Sequence, residues 1–116
     1  MSFHHAVVII VAFALYSYVT YVEFPVHKEG IVLISGASSG IGKHAAEHLA
    51  TMGYTVLAGV RKSHDLDDIK KTKRSNLVPV MLDVTDHESC VGAVEVVKET
   101  MGVIGLPLIA VIHNAG

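Results

Sequence analysis

Residues 31 to 42 read IVLISGASSGIG, and this stretch decides the fold. The run from Ile31 to Ser35 is rich in β-branched residues and has glycine on both sides, which predicts a short strand buried on both faces. Gly36, Gly40 and Gly42 then lead directly into a segment whose apolar residues recur at helical spacing. A strand, a glycine turn and a helix in this order predict the first unit of an α/β domain.

The rest of the chain repeats the same alternation. Strands are predicted over residues 54–60, 77–83 and 108–113, with a possible short helix between residues 61 and 76. Pro79 lies inside the third predicted strand, and because proline has no N–H for the ladder, this strand should be the outermost of the sheet. The pattern predicts an α/β fold: a partial doubly wound parallel sheet of four strands in the order 3-2-1-4, with helices on both faces.

Two helices carry predicted inward faces. The helix from Gly40 to Met52 ends before Gly53, and its predicted inward residues are Ile41, Ala45, Leu49 and Met52. Thr85–Glu88 reads as a capping box that begins the last helix, and its predicted inward residues are Val94, Val97 and Met101.

Composition limits the possible functions. The chain has 116 residues, 51% of them hydrophobic, so it forms one domain at most and is too apolar for a disordered tail. The formal net charge of -2 leaves no basic excess, so nucleic acid is not an expected partner. Cys90 is the one cysteine, which excludes a disulfide-stapled scaffold. His44 and His48 share a polar helix face, but no metal-binding motif accompanies them, and no metal is predicted.

The glycine turn has the features of a phosphate-binding site. A side chain at Gly40 or Gly42 would block the close approach of a pyrophosphate. Free N–H groups at the start of the helix face such an anion, so Ser38, Ser39 and Ile41 are also candidate binding residues. The alternative is a structural turn without a ligand.

A nucleoside-triphosphate loop is a poorer match to the same residues. Residues 37–44, ASSGIGKH, depart from the pattern G-x-x-x-x-G-K-[ST] at both ends. Ala37 replaces the first glycine, and His44 replaces the hydroxyl that would hold magnesium. Hydrolysis of ATP or GTP is therefore not expected.

Three motifs resemble those of the short-chain dehydrogenase/reductase family. Gly36–Gly42 is similar to its G-x-x-x-G-x-G turn, with Ser35 where the family usually has threonine. Leu82–Asp86 resembles the segment after the third strand, which implies that Asp83, beside Val84, contacts the adenine ring. Asn114, Ala115 and Gly116 match the end of its N-N-A-G motif, with His113 replacing the first asparagine. The resemblance covers residues 30–116 and is greatest to membrane-anchored retinol and hydroxysteroid dehydrogenases.

The end of the second strand bears on the choice of dinucleotide. Proteins that choose NAD place an acid there, which accepts from the ribose 2′-OH and repels a 2′-phosphate. The resemblance puts that acid at Gly59, so the acid is missing. Arg61 and Lys62 offer cations instead, which favours NADP over NAD. The alternative is that both are ordinary solvated loop charges.

The resemblance also implies a catalytic serine and a tyrosine–lysine pair after the fourth strand. No Y-x-x-x-K occurs in the sequence, so no catalytic residue is assigned. Residues 31–116 are expected to be a truncated dinucleotide-binding domain that folds poorly and shows no turnover alone. The complete enzyme would transfer hydride between NADP(H) and a carbonyl or alcohol of a retinoid, steroid or other lipid. The alternatives are a non-catalytic membrane-tethered dinucleotide-binding module, or an incomplete product without independent function.

The start of the chain is predicted to contact a lipid bilayer. Residues 6–22, AVVIIVAFALYSYVTYV, carry no charge and are barely long enough to span it, so residues 1–24 are expected to form an uncleaved anchor helix. Residues 25–30 then form a linker. The alternatives are a helix lying on the membrane, a cleaved signal peptide and a soluble core helix. By family resemblance the membrane is that of the endoplasmic reticulum. The side of the membrane is not predicted.

One further cluster near the middle of the chain concerns the membrane. The basic residues Lys70, Lys71, Lys73 and Arg74 either touch anionic lipid beside the anchor or form a solvated loop.

Overall fold

A computed structural model describes residues 1–21 and 24–116. Within these residues, helices and strands alternate along the chain as the sequence predicts, including the possible short helix between the second and third strands. The elements are α1 (Phe3–Thr20), β1 (Ile31–Ile34), α2 (Gly40–Thr51), β2 (Thr55–Val60), α3 (Ser63–Lys71), β3 (Leu77–Met81), α4 (His87–Ile104) and β4 (Leu108–Ile112).

The four strands form one parallel sheet in the order β3-β2-β1-β4, which confirms the predicted fold class and topology. Pro79 of β3 pairs with Ala58 of β2. Because β3 is the outer strand and has a neighbour on one side only, a residue without an N–H is tolerated there. Because all strands run the same way, their carboxyl ends lie together at one end of the sheet. We call this the carboxyl end of the sheet and the opposite one the amino end.

The core has two parts, one on each face of the sheet. Val32, Ile34 and Val56 pack against the small residues of α2 and against Ile69 of α3. Residues on the other face, including Ile31 and Leu57, pack against α4. Every residue of β2 is buried, as expected for a strand covered by helices on both faces.

The predicted inward faces of two helices are partly wrong. In α2 the buried residues are Gly42, Ala46 and Ala50, while Ile41 is 82% exposed and Met52 is 55% exposed. Ala45 and Leu49 are half-buried at the side of the contact. An error of one residue rotates a helix by about 100°. The apolar spacing misled because small residues, Gly42 above all, lie closest to the sheet.

The last helix shows a similar correction. Its buried residues are Ala93 and Val97, whereas Val94 and Met101 are exposed. Its N-cap is Asp86 and not Thr85: the Asp86 carboxylate accepts hydrogen bonds from the backbone N–H groups of Glu88 and Ser89. Thr85 instead donates to the carboxylate of Asp83.

Helix α1 lies apart from both parts of the core, and none of its residues is buried. It is long and apolar enough to cross a membrane, and it is the one helix among the described residues that meets this test. Val22, the last residue of the predicted uncharged run, and Glu23, which falls within the predicted anchor, lie outside the described residues. In the predicted linker, the backbone carbonyl of His27 accepts a hydrogen bond from the Tyr54 hydroxyl at 2.5 Å.

Candidate functional site

The glycine turn between β1 and α2 adopts a backbone that only glycine fits well. Gly36 has φ of +68° and Gly40 has φ of +58°, both in the left-handed region. Gly42 is required for a different reason: a Cβ atom there would lie 2.2 Å from the carbonyl oxygen of Gly36 and 2.3 Å from Nδ2 of Asn114. We call the turn closed because atoms of Gly36 and Asn114 fill the space around Gly42.

Neighbouring strands hold this turn in place. Asn114 follows β4, and its Nδ2 donates to the Gly36 carbonyl at 3.0 Å. The Ser35 hydroxyl accepts from the backbone N–H groups of Asn114 and Ala115, each at 3.1 Å. From the other side, the Ala37 N–H donates to the Gly59 carbonyl of β2 at 2.9 Å. These bonds fix the turn against the strands on both sides of β1.

Ser35 belongs to the site although the sequence motifs did not predict it as a binding residue. The available signal was its hydroxyl at a position where the family keeps threonine. Its partners lie about 80 residues away in sequence, and spacing alone does not reveal a contact at such a separation.

The start of α2 presents backbone donors beside the turn. The first N–H groups of any α-helix have no partner within the helix. Ser39 is the N-cap residue, and its side chain makes no capping hydrogen bond. These donors and the positive end of the helix dipole are therefore available to an anion, which is the arrangement expected of a phosphate site.

The turn opens into a cleft of about 200 Å³ at the carboxyl end of the sheet. Most of the predicted binding residues line it: Gly36, Ser38, Ser39, Arg61, Asn114, Ala115 and Gly116. Gly40, Ile41 and Gly42 lie beside it, in the first turn of α2. The cleft thus joins the ends of β1, β2 and β4.

The three remaining predicted residues lie neither in the lining of the cleft nor in the first turn of α2. Lys62 is the exposed N-cap residue of α3, one position beyond Arg61. Asp83 and Val84 follow β3, with Asp83 half-buried and Val84 exposed. Their roles stay predictions.

The end of β2, where the family resemblance puts the missing acid, is closely packed at Gly59. Gly59 lies within the strand, and a Cβ atom there would be 2.8 Å from the Ile34 carbonyl oxygen and 2.9 Å from Cδ2 of Leu82. No acidic side chain fits at this position. Val60 is also buried, so Arg61 is the first exposed residue after the strand. The exposed end of β2 therefore carries a cation.

Asp83 is held in its charged form. The Thr85 hydroxyl donates to Oδ1 of Asp83 at 2.7 Å and the Thr85 backbone N–H donates at 3.0 Å. These bonds lower the pKa of the Asp83 carboxyl, and the positive charge of Arg61 lowers it further by a smaller amount. The side chain is thereby oriented beside the end of β3.

Other reactive side chains do not assemble into a second centre among the described residues. No three histidine, cysteine or acidic side chains of residues 1–21 and 24–116 come close enough to hold a metal ion. The exposed rings of His44 and His48 stack with centroids 6.3 Å apart. The thiol of Cys90 is half-buried, with Sγ 3.5 Å from the Asp83 carbonyl oxygen.

A parallel sheet in this strand order, with a closed glycine turn and a helix N-terminus beside a cleft, defines a doubly wound nucleotide-binding domain. The family model of the short chain dehydrogenases matches residues 30–116. The chain belongs to this family of oxidoreductases, which generally bind NAD(P).

Individual relatives agree with this assignment. The chain is 36% identical over 89 residues to 17-beta-hydroxysteroid dehydrogenase type 6 of Bos taurus, covering 77% of this chain and 27% of the relative. It has the same identity and coverage with retinol dehydrogenase 16 of Rattus norvegicus. The chain thus spans about a quarter of the length of these relatives.

Solved structures show the same fold. A short chain dehydrogenase from Bacillus anthracis superposes with a TM-score of 0.66 at 28% identity, covering 77% of this chain and 36% of that one. Menthone neomenthol reductase from Mentha piperita gives a TM-score of 0.66 at 26% identity, covering 78% of this chain and 32% of that one.

Proposed function

We propose that this chain is the NADP-binding part of a membrane-anchored short-chain dehydrogenase/reductase. The complete enzyme transfers hydride between NADP(H) and a carbonyl or alcohol. Membership of an oxidoreductase family supports the reaction class. The closed turn around Gly42, beside the cleft, is the single observation that carries the binding proposal.

The diphosphate of the dinucleotide binds over the glycine turn. Backbone N–H groups at the start of α2 donate to it, and the absence of side chains at Gly36 and Gly40 lets it approach the main chain. Asn114 holds the turn in this shape through the Gly36 carbonyl. Ala115 and Gly116 also line the cleft.

Arg61 selects the 2′-phosphate of NADP. It lines the cleft with Ser38 and Ser39, and residues 59–62 at the end of β2 contain no acid that would repel a phosphate. A charge-assisted hydrogen bond of this kind contributes about 1.5 to 3 kcal/mol. Lys62 adds positive charge one residue further on. By the family resemblance, we infer that Asp83, whose carboxylate accepts from Thr85, contacts the adenine ring.

The substrate is a lipid alcohol or its carbonyl counterpart. The names of two similar proteins, a 17-beta-hydroxysteroid dehydrogenase and a retinol dehydrogenase, support a steroid or retinoid substrate. An apolar substrate also suits an enzyme held at a bilayer by α1, whose apolar residues are exposed along its whole length. By the same resemblance, the membrane is that of the endoplasmic reticulum.

A second candidate function is that of a membrane-tethered dinucleotide-binding module without catalysis. One observation favours it: the turn and the residues that line its cleft lie within residues 35–116. Both candidates require dinucleotide binding by this chain. Turnover by a longer chain that carries the tyrosine–lysine pair separates them.

Isothermal titration of the full chain in nanodiscs with NADPH and NADH tests binding. We expect NADPH to bind more tightly than NADH, and Gly42→Ala to weaken the binding of both roughly 100-fold. Gly102→Ala is the matched control, because a Cβ at Gly102 on α4 meets no atom within 4 Å. Failure of the folded wild-type chain to bind either dinucleotide would leave only a chain without independent function.

A further inference from the structure

The two ends of the sheet differ in what they are attached to. The glycine turn and its cleft lie at the carboxyl end, since Gly36 follows β1. The amino ends of all four strands lie at the opposite end, as the register of Ile31 with Thr55 and with Leu108 shows. The linker from α1 enters the domain at this amino end, at Gly30.

The linker is attached to the domain several residues before β1. The Tyr54 hydroxyl holds the His27 carbonyl at 2.5 Å, and Tyr54 directly precedes β2. Val26 and His27 also line an apolar cleft of about 260 Å³ with residues of α2 and β4. The chain from Thr20 to Val26 spans at most about 20 Å. The amino end of the sheet is therefore tethered within that distance of the end of α1.

Positive charge collects at this tethered end. Four exposed basic residues lie in the linker, the last turn of α3 and the loop before β3: Lys28, Lys70, Lys73 and Arg74. Lys71, beside them, is paired with Asp68 at 2.8 Å. Acidic residues are also present here: Asp68 pairs with Lys71, the Glu47 carbonyl accepts from Arg74, and Glu29 lies in the linker. At the carboxyl end the acidic residues Asp65, Asp83, Asp86 and Glu88 outnumber the basic residues Lys43, Arg61 and Lys62 by one. The net charge of -2 thus conceals a division of charge between the two ends.

Exposed apolar side chains lie at the same end as the basic ones. Met52 is 55% exposed where α2 ends, before β2. Val103 is 80% exposed and Ile104 is 43% exposed where α4 ends, before β4. Basic residues that flank exposed apolar residues are typical of surfaces that contact anionic lipid headgroups.

We propose that the amino end of the sheet docks on the anionic headgroups of the same bilayer that holds α1. We call this set of exposed basic and apolar residues (Lys28, Met52, Lys70, Lys73, Arg74, Val103 and Ile104) the lipid-docking surface. The cofactor cleft then faces the aqueous phase, where a soluble dinucleotide reaches it. This proposal rests on the proposed membrane anchoring of α1.

Two labelled variants at the ends of α3 test the proposal. In the full chain with Cys90→Ala, a bimane fluorophore is attached to Ser75→Cys, just beyond α3 near the amino end, or to Ser63→Cys, the first residue of α3 at the carboxyl end. Both serines are exposed. The chains are reconstituted into vesicles of phosphatidylcholine with or without about 30% phosphatidylserine, each containing a lipid with a nitroxide on its headgroup.

We expect the nitroxide to quench the Ser75 label several-fold more than the Ser63 label, and phosphatidylserine to increase this difference. Equal quenching of the two labels, or stronger quenching at Ser63, would overturn the proposal. Flotation of the vesicles after alkaline extraction reports separately on α1. If the chain does not float, the anchor has failed, and the proposal fails with it for a reason that flotation identifies.

A pair of charge-reversed variants tests the role of the basic residues. Lys70→Glu combined with Lys73→Glu changes the lipid-docking surface. Lys43→Glu combined with Lys98→Glu makes the same change in net charge elsewhere on the domain. We expect the first variant to lose about half or more of the phosphatidylserine-dependent quenching at the Ser75 label and the second to retain it. Equal losses in the two variants would contradict a localised docking surface.

Discussion

The two ends of the sheet are proposed to bind their ligands by different physical means. At the carboxyl end, Gly36, Gly42 and Asn114 meet at contacts so close that one added methyl group does not fit. At the amino end, the lipid-docking surface consists of exposed side chains that contact little of the protein. A ligand held by backbone N–H groups needs a fixed main chain, whereas a headgroup layer needs only charge and exposed apolar area. Substitutions should therefore have large effects at the first end and small, additive effects at the second.

The largest effect is expected at Gly42. Gly42→Ala places a Cβ atom against the Gly36 carbonyl, so the turn must open. We expect NADPH affinity to fall roughly 100-fold, equivalent to the 3 kcal/mol at the upper end of the usual range for overpacking. Titration calorimetry measures the affinity, and thermal unfolding shows whether the domain remains folded. Unchanged affinity in folded Gly42→Ala would show that the turn does not hold the diphosphate.

Arg61 should affect one dinucleotide and not the other. Arg61→Ala removes the cation at the end of β2, and we expect NADPH affinity to fall about 10-fold or more while NADH affinity stays the same. The same titrations check this, with Lys98→Ala, on an exposed part of α4, as the charge control. Equal losses for NADPH and NADH would show that Arg61 does not select the 2′-phosphate.

Asn114 should link binding to stability. Asn114→Ala leaves the Gly36 carbonyl without its side-chain donor, and we expect the free energy of unfolding to fall by about 1 to 3 kcal/mol. NADPH affinity should fall roughly 5-fold because the turn is no longer held in place. Chemical denaturation measures the first quantity and calorimetry the second. Weakened binding without any loss of stability would instead indicate that Asn114 contacts the ligand directly.

Asp83 gives a smaller effect that depends on pH. Its pKa in the folded chain lies below the ordinary value of 3.8, because Thr85 stabilises the carboxylate. The stability from this contact is therefore complete at neutral pH, and it is lost as the pH falls through the lowered pKa. We expect Thr85→Val to raise the pKa of Asp83 toward its ordinary value, as measured by NMR titration of the carboxyl carbon. No change in this pKa would show that Thr85 does not hold the carboxylate.

The smallest effect on cofactor binding is expected at the amino end. Lys73 lies at the end of the sheet opposite the cleft. We therefore expect Lys73→Glu to change NADPH affinity less than about twofold at physiological ionic strength. Its effect should appear instead in vesicle contact. A large change in NADPH affinity would show that the amino end also affects cofactor binding.

The sequence predicted the scaffold well because local patterns encode it. Glycine spacing placed the turn between a strand and a helix, and Pro79 placed β3 on the outside of the sheet. The predicted helix faces were partly wrong because apolar spacing favours large residues, whereas Gly42 and Ala93 lie against the sheet. The predicted cap at Thr85 was one residue early, because Asp86 has the same capping chemistry.

The hydrogen bonds that hold the glycine turn could not be predicted from the spacing of residues in the sequence. Ser35 and Asn114 meet only because β1 and β4 are neighbours, although nearly 80 residues separate them. The sequence also does not reveal that the Ile34 carbonyl oxygen lies within 2.8 Å of the position of a Cβ at Gly59. Contacts of this kind depend on the distance between strands, which no local pattern contains.

The response of individual backbone amides to NADPH tests most directly whether the diphosphate binds at the start of α2. In ¹H–¹⁵N spectra of the full chain in nanodiscs, the amides of Ser39, Gly40 and Ile41 should show the largest shifts on saturation with NADPH. The amides of Glu88 and Ser89, which already bond to Asp86 at the start of α4, should hardly move. If NADPH binds but leaves the amides of residues 39–41 unshifted, the diphosphate does not bind at the start of α2.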